Sequence, residues 1–361
     1  MTESITSKVL KQNCGADVSK SDFKICLYEL MGDLRKRIKG RKKFKNTLKG
    51  FTALTTWLSK KQLEGVELRI TMEATGVYYE SLAHYLHEQG FTVCVILPNK
   101  SKAYGDSLNL KTRTDKTEAE MLGQMGLERD LEVWQPASPQ MRKLKQLTRE
   151  RVRLQTEKTR LSNQRHALQH SHDPDLQGVK RLQQRIKLIQ KQLKQVDKQI
   201  VQTIKADQVL EARIARICEV KGLGITTVAT IIAETNGFRL FTSRAQLVSW
   251  SGYDITKKES GSSVKSKERI SKKGNKYIRR ALYFPAITAA AKEVPFQQLF
   301  ERCLERSNIK MKAYVAVQRK LLLLIYALYK SGQKYDPNYH NQHKNQHHKV
   351  QIEQHELIQN G

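Results

Sequence analysis

Leucine recurs at strict seven-residue intervals in the middle of the chain, and this repeat constrains the fold more than any other feature. Its members are Leu147, Leu154, Leu161 and Leu168, and Leu144 precedes them by half a heptad. Such a repeat predicts a long helix that buries a narrow apolar stripe against a second helix. Between Pro139 and Arg216 the only helix-breaking proline is Pro174. The sequence therefore predicts helical structure over most of residues 136–216.

A polar break at residues 170–175 separates this helix from a second one. The second apolar stripe runs from Leu182 to Ile204 at helical spacing. We expect the two helices to fold back on each other as an antiparallel coiled-coil arm. The alternate positions of the first seam are basic: Arg151, Lys158 and Arg165. One flank could therefore contact phosphate, although a passive spacer or a dimer strut is the alternative role.

The first 135 residues predict an α/β domain. Two short alternating runs, residues 14–18 and 23–27, are joined by a turn containing Ser and Asp and predict a β-hairpin. Residues 35–49 are interpreted only as a basic stretch that leads into a helix. Alternating patterns predict two further strands, over residues 66–73 and 91–97, with a helix between them. This order of elements indicates a mixed sheet flanked by helices.

Four acidic residues stand out because the chain is otherwise strongly basic. It carries 65 Lys and Arg against 35 Asp and Glu, which gives a formal net charge of +30. That balance indicates a protein that binds DNA or RNA, although ribosomal and membrane-surface proteins share it. The four residues are Asp17 on the first strand, Glu73 at the end of a neighbouring strand, and Asp115 and Glu118 on one face of a predicted helix. Together their carboxylates could hold two Mg²⁺ ions, as phosphodiester chemistry requires.

Each of these carboxylates also has a structural interpretation. Asp17 could accept hydrogen bonds from backbone amides of the adjacent turn. Asp115 and Glu118 could form a capping box at the start of a helix. Isolated motifs of this kind often have no catalytic role. The argument for a metal site therefore rests on the four residues as a set.

The segment that follows the arm, KGLGITTVA at residues 221–229, contains two glycines. They allow a tight turn between two helices, and the free amides at the start of the second helix can bind a phosphate. The candidate contacts are Lys221, Gly222 and Gly224. The segment looks like a helix-hairpin-helix element, which grips DNA without reading its sequence. A simple turn between helices is the alternative.

A stretch rich in Ser, Gly and Lys extends from about residue 254 to residue 276 and precedes a basic helix. Its composition predicts an exposed loop that binds phosphate. A serine surrounded by cations in such a loop could act as a nucleophile, although most loops of this composition only bind. The cationic candidates for nucleic-acid contact are Lys257, Lys272, Lys273, Arg279 and Arg280.

Several protein classes are excluded by the sequence. It has no apolar run of about 18 residues, and its first residues lack the apolar core of a signal peptide, which predicts a cytoplasmic protein without a membrane span. The five cysteines are scattered with no C-x-x-C pair, so we expect neither a disulfide framework nor a zinc site. The tail, residues 331–361, is polar and rich in histidine, and its composition predicts disorder.

Five segments together resemble one family. They are GADVSK around Asp17, MEATGVYY around Glu73, KTRTDKTEAE around Asp115, the KGLGITTVA segment, and ESG followed by RISKKGNKYIRRAL. In this order, over residues 13 to about 330, the chain resembles the DEDD transposases of insertion sequences, which are related to the pilin-gene invertases. The resemblance implies an N-terminal RuvC-like (RNase H-like) domain over residues 1–135 and a mainly α serine transposase domain over residues 217–330.

The resemblance also implies an activity, that of a Mg²⁺-dependent DNA transposase or recombinase. The residues that match the metal-binding acidic tetrad are Asp17, Glu73, Asp115 and Glu118. Ser260 matches the serine that attacks DNA covalently. The fourth acidic position of the family is usually Asp. Because this chain has Glu118 there, Glu120 competes for the same role.

The partners that the resemblance implies are donor DNA, target DNA and a structured guide RNA from the element. By the same resemblance the protein acts as a homo-oligomer, a dimer or a tetramer, which joins the acidic site of one subunit to the serine of another. Two alternatives stay open on the sequence. One is a RuvC-like hydrolytic nuclease or junction resolvase without a serine intermediate, and the other is a non-catalytic nucleic-acid-binding assembly protein.

Overall fold

The computed structural model describes residues 8–109, 114–239, 241–256, 259–260, 264–265 and 269–336. Within these ranges, only the backbone is described for residues 115–116, 259–260 and 264–265. The chain divides into two compact units, with the boundary between Pro136 and Ala137. The finer division, with an arm over residues 136–216, a third domain over residues 217–330 and a tail, stays a prediction.

A mixed β-sheet forms the centre of the N-terminal unit. In the part of this unit that the structure describes, the sheet contains five strands in the order β3-β2-β1-β4-β5. The strands are β1 (Val9–Val18), β2 (Asp22–Met31), β3 (Lys36–Lys45), β4 (Leu68–Glu73) and β5 (Thr92–Ile96). Strand β2 is antiparallel to β1 and β3, whereas β4 and β5 run parallel to β1. This arrangement confirms the predicted mixed sheet, including the hairpin of β1 and β2.

Helices pack on both faces of this sheet. They are α1 (Leu48–Ser59), α2 (Glu80–Glu88), α3 (Pro98–Ser107) and α4 (Asp115–Glu128). Alternation along β1 determines which face meets which helix. Cys14 belongs to a buried apolar cluster with Phe51 of α1 and Leu82 of α2. On the opposite face Gly15 lies directly against α4, so the odd-numbered residues of β1, Asp17 among them, face α4.

Strand β3 corrects one interpretation, because it forms from residues that the sequence analysis assigned only to a basic stretch. Its apolar residues are few, Ile38 and Phe44, so its pattern does not resemble a strand. The charges are tolerated because acidic side chains of neighbouring elements pair with them. Arg37 Nη2 lies 2.6 Å from Oε2 of Glu29, a fully buried carboxylate, and Lys39 Nζ lies 3.6 Å from its Oε1. Glu29 lies on β2, so the sequence pattern of residues 36–45 alone cannot reveal this partner.

The packing of β1 against α4 depends on a glycine, which gives a prediction for stability. A Cβ atom on Gly15 would lie 2.1 Å from the carbonyl oxygen of Ala119 and 2.2 Å from the amide nitrogen of Gly123. Both are backbone atoms of one helix, which cannot move aside separately. We expect Gly15→Ala to lower the free energy of unfolding by about 3 kcal/mol or more, the upper end for overpacked sites. Denaturant unfolding of the purified variant measures the change.

The matched control for this variant is Gly224→Ala, because a Cβ atom at Gly224 has no neighbour within 4 Å. Gly224 is the N-cap of a helix, so the control should lose no more than about 1 kcal/mol, the cost of a poor capping residue. A Gly15→Ala protein as stable as wild type would contradict the close contact between β1 and α4.

Two long helices open the C-terminal unit. They are α5 (Pro139–Gln169) and α6 (Leu176–Lys205), and the predicted polar break falls between them. Their ion pairs indicate opposite directions: Arg151 Nε lies 2.6 Å from Asp197 Oδ1, and Arg185 Nη2 lies 3.7 Å from Glu157 Oε1. The predicted pair of antiparallel helices is present, whereas its coiled-coil geometry stays a prediction.

The leucines of the predicted seam are buried to different degrees. Leu144, Leu147 and Leu161 are buried, whereas Leu154 and Leu168 are partly exposed. Leu161 packs with α6 residues in a small separate cluster. Leu144 and Leu147 instead join the large core that this unit forms with its later helices. The seam is therefore continuous with that core at one end of the helix pair.

Shorter helices and paired strands complete the described part of this unit. The helices are α7 (Gln208–Cys218), α8 (Ile225–Glu234), α9 (Arg244–Trp250), α10 (Lys276–Ala281), α11 (Tyr283–Lys292), α12 (Val294–Ser307) and α13 (Lys310–Ser331). The strands are β6 (Ile255–Thr256), β7 (Glu259–Ser260), β8 (Val264–Lys265) and β9 (Arg269–Ile270). Mostly helical content after a mixed α/β unit agrees with the predicted fold class at this coarse level.

Among the residues that the structure describes, no helix is both long and apolar enough to cross a membrane. All five cysteines are free thiols. Burial raises the pKa of Cys94 and of Cys218 to about 11, so these two thiols stay protonated at neutral pH. The tail that is predicted to be disordered lies outside the described residues from residue 337 onward.

Candidate functional site

Asp17 and Glu73 lie side by side at one end of the sheet in the N-terminal unit. Strands β1 and β4 are parallel, and their register pairs Ala16 with Met72. One further step along this register brings Asp17 opposite Glu73. Paired residues of neighbouring strands point to the same face of a sheet. Both carboxylates therefore belong to the face that α4 covers, which brings together two of the predicted site residues.

Helix α4 crosses this face, and its first turn approaches Asp17. Gly15 lies against Ala119, and Asn13 Nδ2 donates to carbonyl oxygens farther along α4, at 2.9 and 3.3 Å, so the helix runs opposite to β1. Asp115 precedes Ala119 by four residues, about 6 Å of helical rise. Asp17 follows Gly15 by two residues, about 6.6 Å of strand. Because the two displacements match, the first turn of α4 lies beside Asp17.

The two candidates for the fourth acidic position have different surroundings. Glu120 Oε1 lies 2.7 Å from Nε of Arg41 on β3. Strand β3 is the edge of the sheet on the side of β1 away from β4, so this ion pair directs Glu120 away from Glu73. Glu118 is partly exposed and shares a helix face with Asp115 by its spacing.

Threonines, and not the acidic pair, cap the start of α4. Thr117 N donates to Thr114 Oγ1 at 3.3 Å, and Thr114 N donates to Thr117 Oγ1 at 2.7 Å. This reciprocal pair is a capping box. The alternative interpretation of Asp115 and Glu118 as the capping box is therefore wrong.

Two hydroxyl groups that the sequence analysis missed hold Glu73. Thr75 Oγ1 donates to one of its carboxylate oxygens, and Ser101 Oγ of α3 donates to the other. Ser101 is only 1% exposed, so this contact is inside the unit. Thr75 stands in the MEATG motif directly after β4 and could have been noticed there. Ser101 carries no such signal, because it is 28 residues away from Glu73.

The donor chemistry of this face suits a hard divalent cation. Mg²⁺ prefers oxygen ligands and commonly uses one or two carboxylates with water. Among the side chains that the structure describes, no three of His, Cys, Asp or Glu come close enough to form a metal site. The side chain of Asp115 is not among them. Asp17, Glu73 and Glu118 are among them, so these three side chains do not form such a group by themselves. What the structure brings together is Asp17 and Glu73, on neighbouring strands of one face.

The glycine-rich segment of the C-terminal unit makes a tight turn between α7 and α8. Gly222 has a φ of +98°, which favours glycine, and an added Cβ would lie 3.0 Å from the carbonyl oxygen of Pro285. Gly224 precedes α8 without a side-chain cap, so the start of this helix is open to a phosphate. Lys221 N donates to Glu293 Oε1 at 3.2 Å, while its side chain is exposed. The assignment as a helix-hairpin-helix element stays a prediction.

Ser260 lies on a short paired strand. Strand β6 pairs with β9 at the base of a hairpin, and β7 pairs with β8 farther out, where Ser260 is opposite Val264. Since residues 261–263 connect these two partners, Ser260 is the last paired residue before the tip. Its side chain is not described, and the candidate Lys257 lies outside the described residues.

The base of this hairpin is fixed in the core of the unit. The buried Tyr253 donates its hydroxyl to Oε1 of Gln318 at 2.9 Å. Burial raises the pKa of Tyr253, so its hydroxyl keeps the proton that it donates. On the other strand Ser271 N donates to the carbonyl oxygen of Asp254 at 2.8 Å. The strand pair that contains Ser260 therefore follows an anchored base.

The other described cationic candidates near the hairpin fall into two pairs. Lys272 and Lys273 are exposed, in the turn that leads to α10. Arg279 donates to a backbone carbonyl oxygen at 2.8 Å, and Arg280 donates to Thr156 Oγ1 at 2.7 Å. The lysines are therefore accessible to a ligand, whereas the arginines also hold the unit together.

A buried carboxylate that the sequence analysis missed connects this region to α5. Glu234 is 1% exposed, and Arg149 donates to both of its oxygens, at 2.6 and 2.9 Å. Asn275 Nδ2 donates to the same carboxylate at 2.7 Å and caps α10 with its Oδ1. Bidentate pairing with arginine stabilises a buried carboxylate. Glu234 therefore fixes α5, α8 and the start of α10 in one arrangement.

Comparison with known proteins assigns this chain to a family. A model of DEDD transposases of the IS110 type, described as "Transposase", matches residues 14–172. A second model, described as "Transposase IS116/IS110/IS902 family", matches residues 214–301. The chain is 27% identical over 331 residues to the pilin gene-inverting protein of Moraxella bovis, which covers 91% of this chain and 99% of that protein. The pilin gene-inverting protein of Moraxella lacunata gives the same values.

Weaker similarities accompany these. An uncharacterized 43.6 kDa protein of insertion element IS110 from Streptomyces coelicolor is 24% identical over 115 residues, which is 32% of this chain and 28% of that protein. The structure of T. thermophilus RuvC in complex with a Holliday junction substrate matches 31% of this chain and 90% of that chain at 12% identity, with a TM-score of 0.24, too low to support a conclusion. The two family models match successive parts of the chain, and the pilin gene-inverting proteins match nearly all of it. The chain therefore belongs to the DEDD transposases of insertion sequences and is a DNA recombinase.

Proposed function

We propose that this protein cuts and exchanges DNA strands during transposition, with Mg²⁺ at the acidic face of its N-terminal unit and Ser260 of its C-terminal unit as nucleophile. The observation that carries the proposal is the position of Asp17 opposite Glu73, with the first turn of α4 on the same face. Open α/β sheets bind their ligands at such strand ends.

The acidic face would hold the cation through four carboxylates: Asp17, Glu73, Asp115 and Glu118. When bound, Mg²⁺ would stabilise the charge on the oxygens that enter and leave phosphorus. The chain itself contributes orientation. Thr75 and Ser101 donate to the two oxygens of Glu73, so this carboxylate is already oriented before DNA binds. Preorganised groups of this kind need no rearrangement during the reaction.

Ser260 is proposed as the nucleophile because its strand carries it to the tip of a basic hairpin with an anchored base. Its hydroxyl oxygen would form a new bond to phosphorus, and the hydroxyl proton would pass to a general base. A deoxyribose oxygen would leave phosphorus with the bonding electrons. One phosphodiester is thereby exchanged for another. The exposed Lys272 and Lys273 would neutralise charge that develops on the phosphate.

Binding of donor DNA, target DNA and a guide RNA is part of the same proposal. The formal net charge of +30 favours a polyanion. The open start of α8 offers backbone amides to a phosphate, as a helix-hairpin-helix element would, without reading a base. As a coiled-coil arm, α5 and α6 would join subunits into a dimer or tetramer. A cytoplasmic location would bring the protein to its DNA.

A hydrolytic nuclease or junction resolvase is the alternative chemistry. It would use the acidic face in the same way but would give the role of Ser260 to water. The test is to incubate the purified protein with Mg²⁺, labelled donor and target DNA and the RNA transcribed beside its gene, and to separate the products on a denaturing gel. A covalent protein–DNA band supports the serine mechanism. Cleaved DNA without such a band supports hydrolysis.

The two neighbouring glutamates of α4 should respond differently to substitution. We expect Glu118→Gln to slow strand cleavage about a hundred-fold, since a lost metal ligand costs about 3 kcal/mol of transition-state stabilisation. Glu120→Gln should have little effect on cleavage, because Glu120 pairs with Arg41 at 2.7 Å in a partly exposed ion pair. Single-turnover cleavage at several Mg²⁺ concentrations measures both. The reverse order of effects would make Glu120 the fourth ligand.

A further inference from the structure

A basic groove lies on the face of the N-terminal sheet that is turned away from α4. It runs between α1 and the edge strand β3 and is lined by Lys42, Lys49, Lys60 and Trp57. Lys42 shares its face of β3 with Phe44, which belongs to the apolar cluster under α1. Asp17 and Glu73 lie on the opposite face. The groove and the acidic face are therefore on different sides of one sheet.

Helical spacing gathers the α1 residues of this groove into one stripe. Lys49, Thr52, Thr56 and Lys60 follow one another at steps of three or four residues, and all four are exposed. The threonine hydroxyls donate back to carbonyl oxygens of the helix, at 3.1 and 2.9 Å, so the lysines at the two ends supply the charge. The 12 residues of α1 span about 18 Å, the length of about five nucleotides of a stacked strand.

The lysines of this groove differ from the cations on the other face of β3, because they have no acidic partner. On the α4 face, Arg41 pairs with a carboxylate of α4 at 2.7 Å. In the described part of the chain no carboxylate lies within ion-pair distance of Lys42, Lys49 or Lys60. The sequence explains this, since residues 34–63 contain neither Asp nor Glu. The groove therefore presents uncompensated positive charge.

The aromatic ring in the groove is already engaged. Trp57 packs on Gly40, where an added Cβ would lie 2.9 Å from the ring. The ammonium of Lys61 lies 5.2 Å from the ring centre, a cation–π contact. The ring therefore holds a fourth cation, Lys61, beside the groove.

We propose that this groove binds one sugar-phosphate backbone of a nucleic acid, without reading its sequence, at a place separate from the acidic face. Lys42, Lys49 and Lys60 would each contact a phosphate. Lysines also protect an edge strand from pairing with another chain. That role accounts for Lys42 but not for Lys49 or Lys60, because Lys49 lies on α1 and Lys60 is its C-cap. Binding of a strand with regularly spaced phosphates would explain the positions of all three lysines.

The test measures binding of the full-length protein to labelled single-stranded DNA and RNA, each without Mg²⁺ and at several salt concentrations. The triple variant Lys42→Gln, Lys49→Gln, Lys60→Gln should reduce the slope of log K against log salt by about 2, since each phosphate contact contributes about 0.7. A change with RNA alone or DNA alone identifies the strand that is bound. The matched control removes the same charge from exposed positions to which no role is assigned and should leave the slope unchanged: Lys292→Gln, Lys310→Gln and Lys312→Gln.

Photochemical cross-linking from a thiolated strand, followed by mass spectrometry, locates the contact. Wild type should give a cross-link within residues 50–60, and the triple variant should lose it. An unchanged slope with no cross-link in this segment would overturn the proposal. So would a triple variant that changes oligomeric state in light scattering but keeps the slope, because the groove would then join copies of this chain. Because binding is measured without Mg²⁺, the result is independent of whether the acidic face cleaves DNA.

Discussion

Asp17→Asn should abolish DNA strand cleavage while the protein stays folded. The substitution keeps the size of the side chain but removes the negative charge from the residue that lies opposite Glu73 on the α4 face. A cation site that loses a carboxylate loses several kcal/mol of transition-state stabilisation. A loss of about 4 kcal/mol corresponds to a rate about a thousand-fold lower. Single-turnover cleavage of labelled DNA at saturating Mg²⁺ measures it.

Asp22→Asn is the matched control, because it removes a carboxylate from the same hairpin. Asp22 pairs with Lys43 at 3.0 Å, and the hydrogen bond from this lysine lowers the pKa of its carboxyl. Asp22 begins β2 on the α4 face, but its ion pair directs the carboxylate toward β3, the edge of the sheet away from Glu73, so this variant should cleave DNA at about the wild-type rate. Both variants should keep their DNA affinity, which depends on the basic surface. If Asp17→Asn cleaved DNA at the wild-type rate, the acidic face would have no role in the mechanism.

The hairpin that carries Asp17 could be predicted from the sequence because its signal is local. Alternation along residues 14–18 and 23–27, with a turn between them, is sufficient to define β1 and β2. The two long helices of the C-terminal unit were predictable for the same reason, since a seven-residue period and one polar break are read within a single segment.

Elements that depend on distant partners could not be predicted in this way. Strand β3 is stable because Glu29 and other acidic residues pair with its cations. The sequence pattern of residues 36–45 does not indicate those contacts. The same holds for Glu234, which is 85 residues away from Arg149. A buried polar residue of this kind looks like any other glutamate until its partners are known.

The candidate site was partly predictable. The face of Asp17 follows from strand alternation, but its position opposite Glu73 depends on the register of two parallel strands that are far apart in sequence. The choice between Glu118 and Glu120 needed a tertiary contact, the ion pair of Glu120 with Arg41. For Ser260, composition left the serines of the loop equivalent, and only the family resemblance singled one out.

Ser260→Ala should eliminate the covalent protein–DNA intermediate and lower recombination about a thousand-fold or more, because the substitution removes the attacking oxygen. The acidic face is untouched by this change, so affinity for DNA should be that of wild type. Ser262→Ala is the matched control: it removes a hydroxyl two residues farther along the chain and should keep the adduct. Gel separation of labelled DNA under denaturing conditions measures the adduct in each protein.

Together with Asp17→Asn, this variant separates the two chemistries. If water is the nucleophile, wild type forms no adduct and Ser260→Ala cleaves DNA as wild type does, while Asp17→Asn still fails. If serine is the nucleophile, each variant fails alone. An equimolar mixture of the two inactive proteins then tests whether the groups act across subunits. Recovered adduct requires the acidic face of one copy to work with Ser260 of another, because no single copy in the mixture carries both.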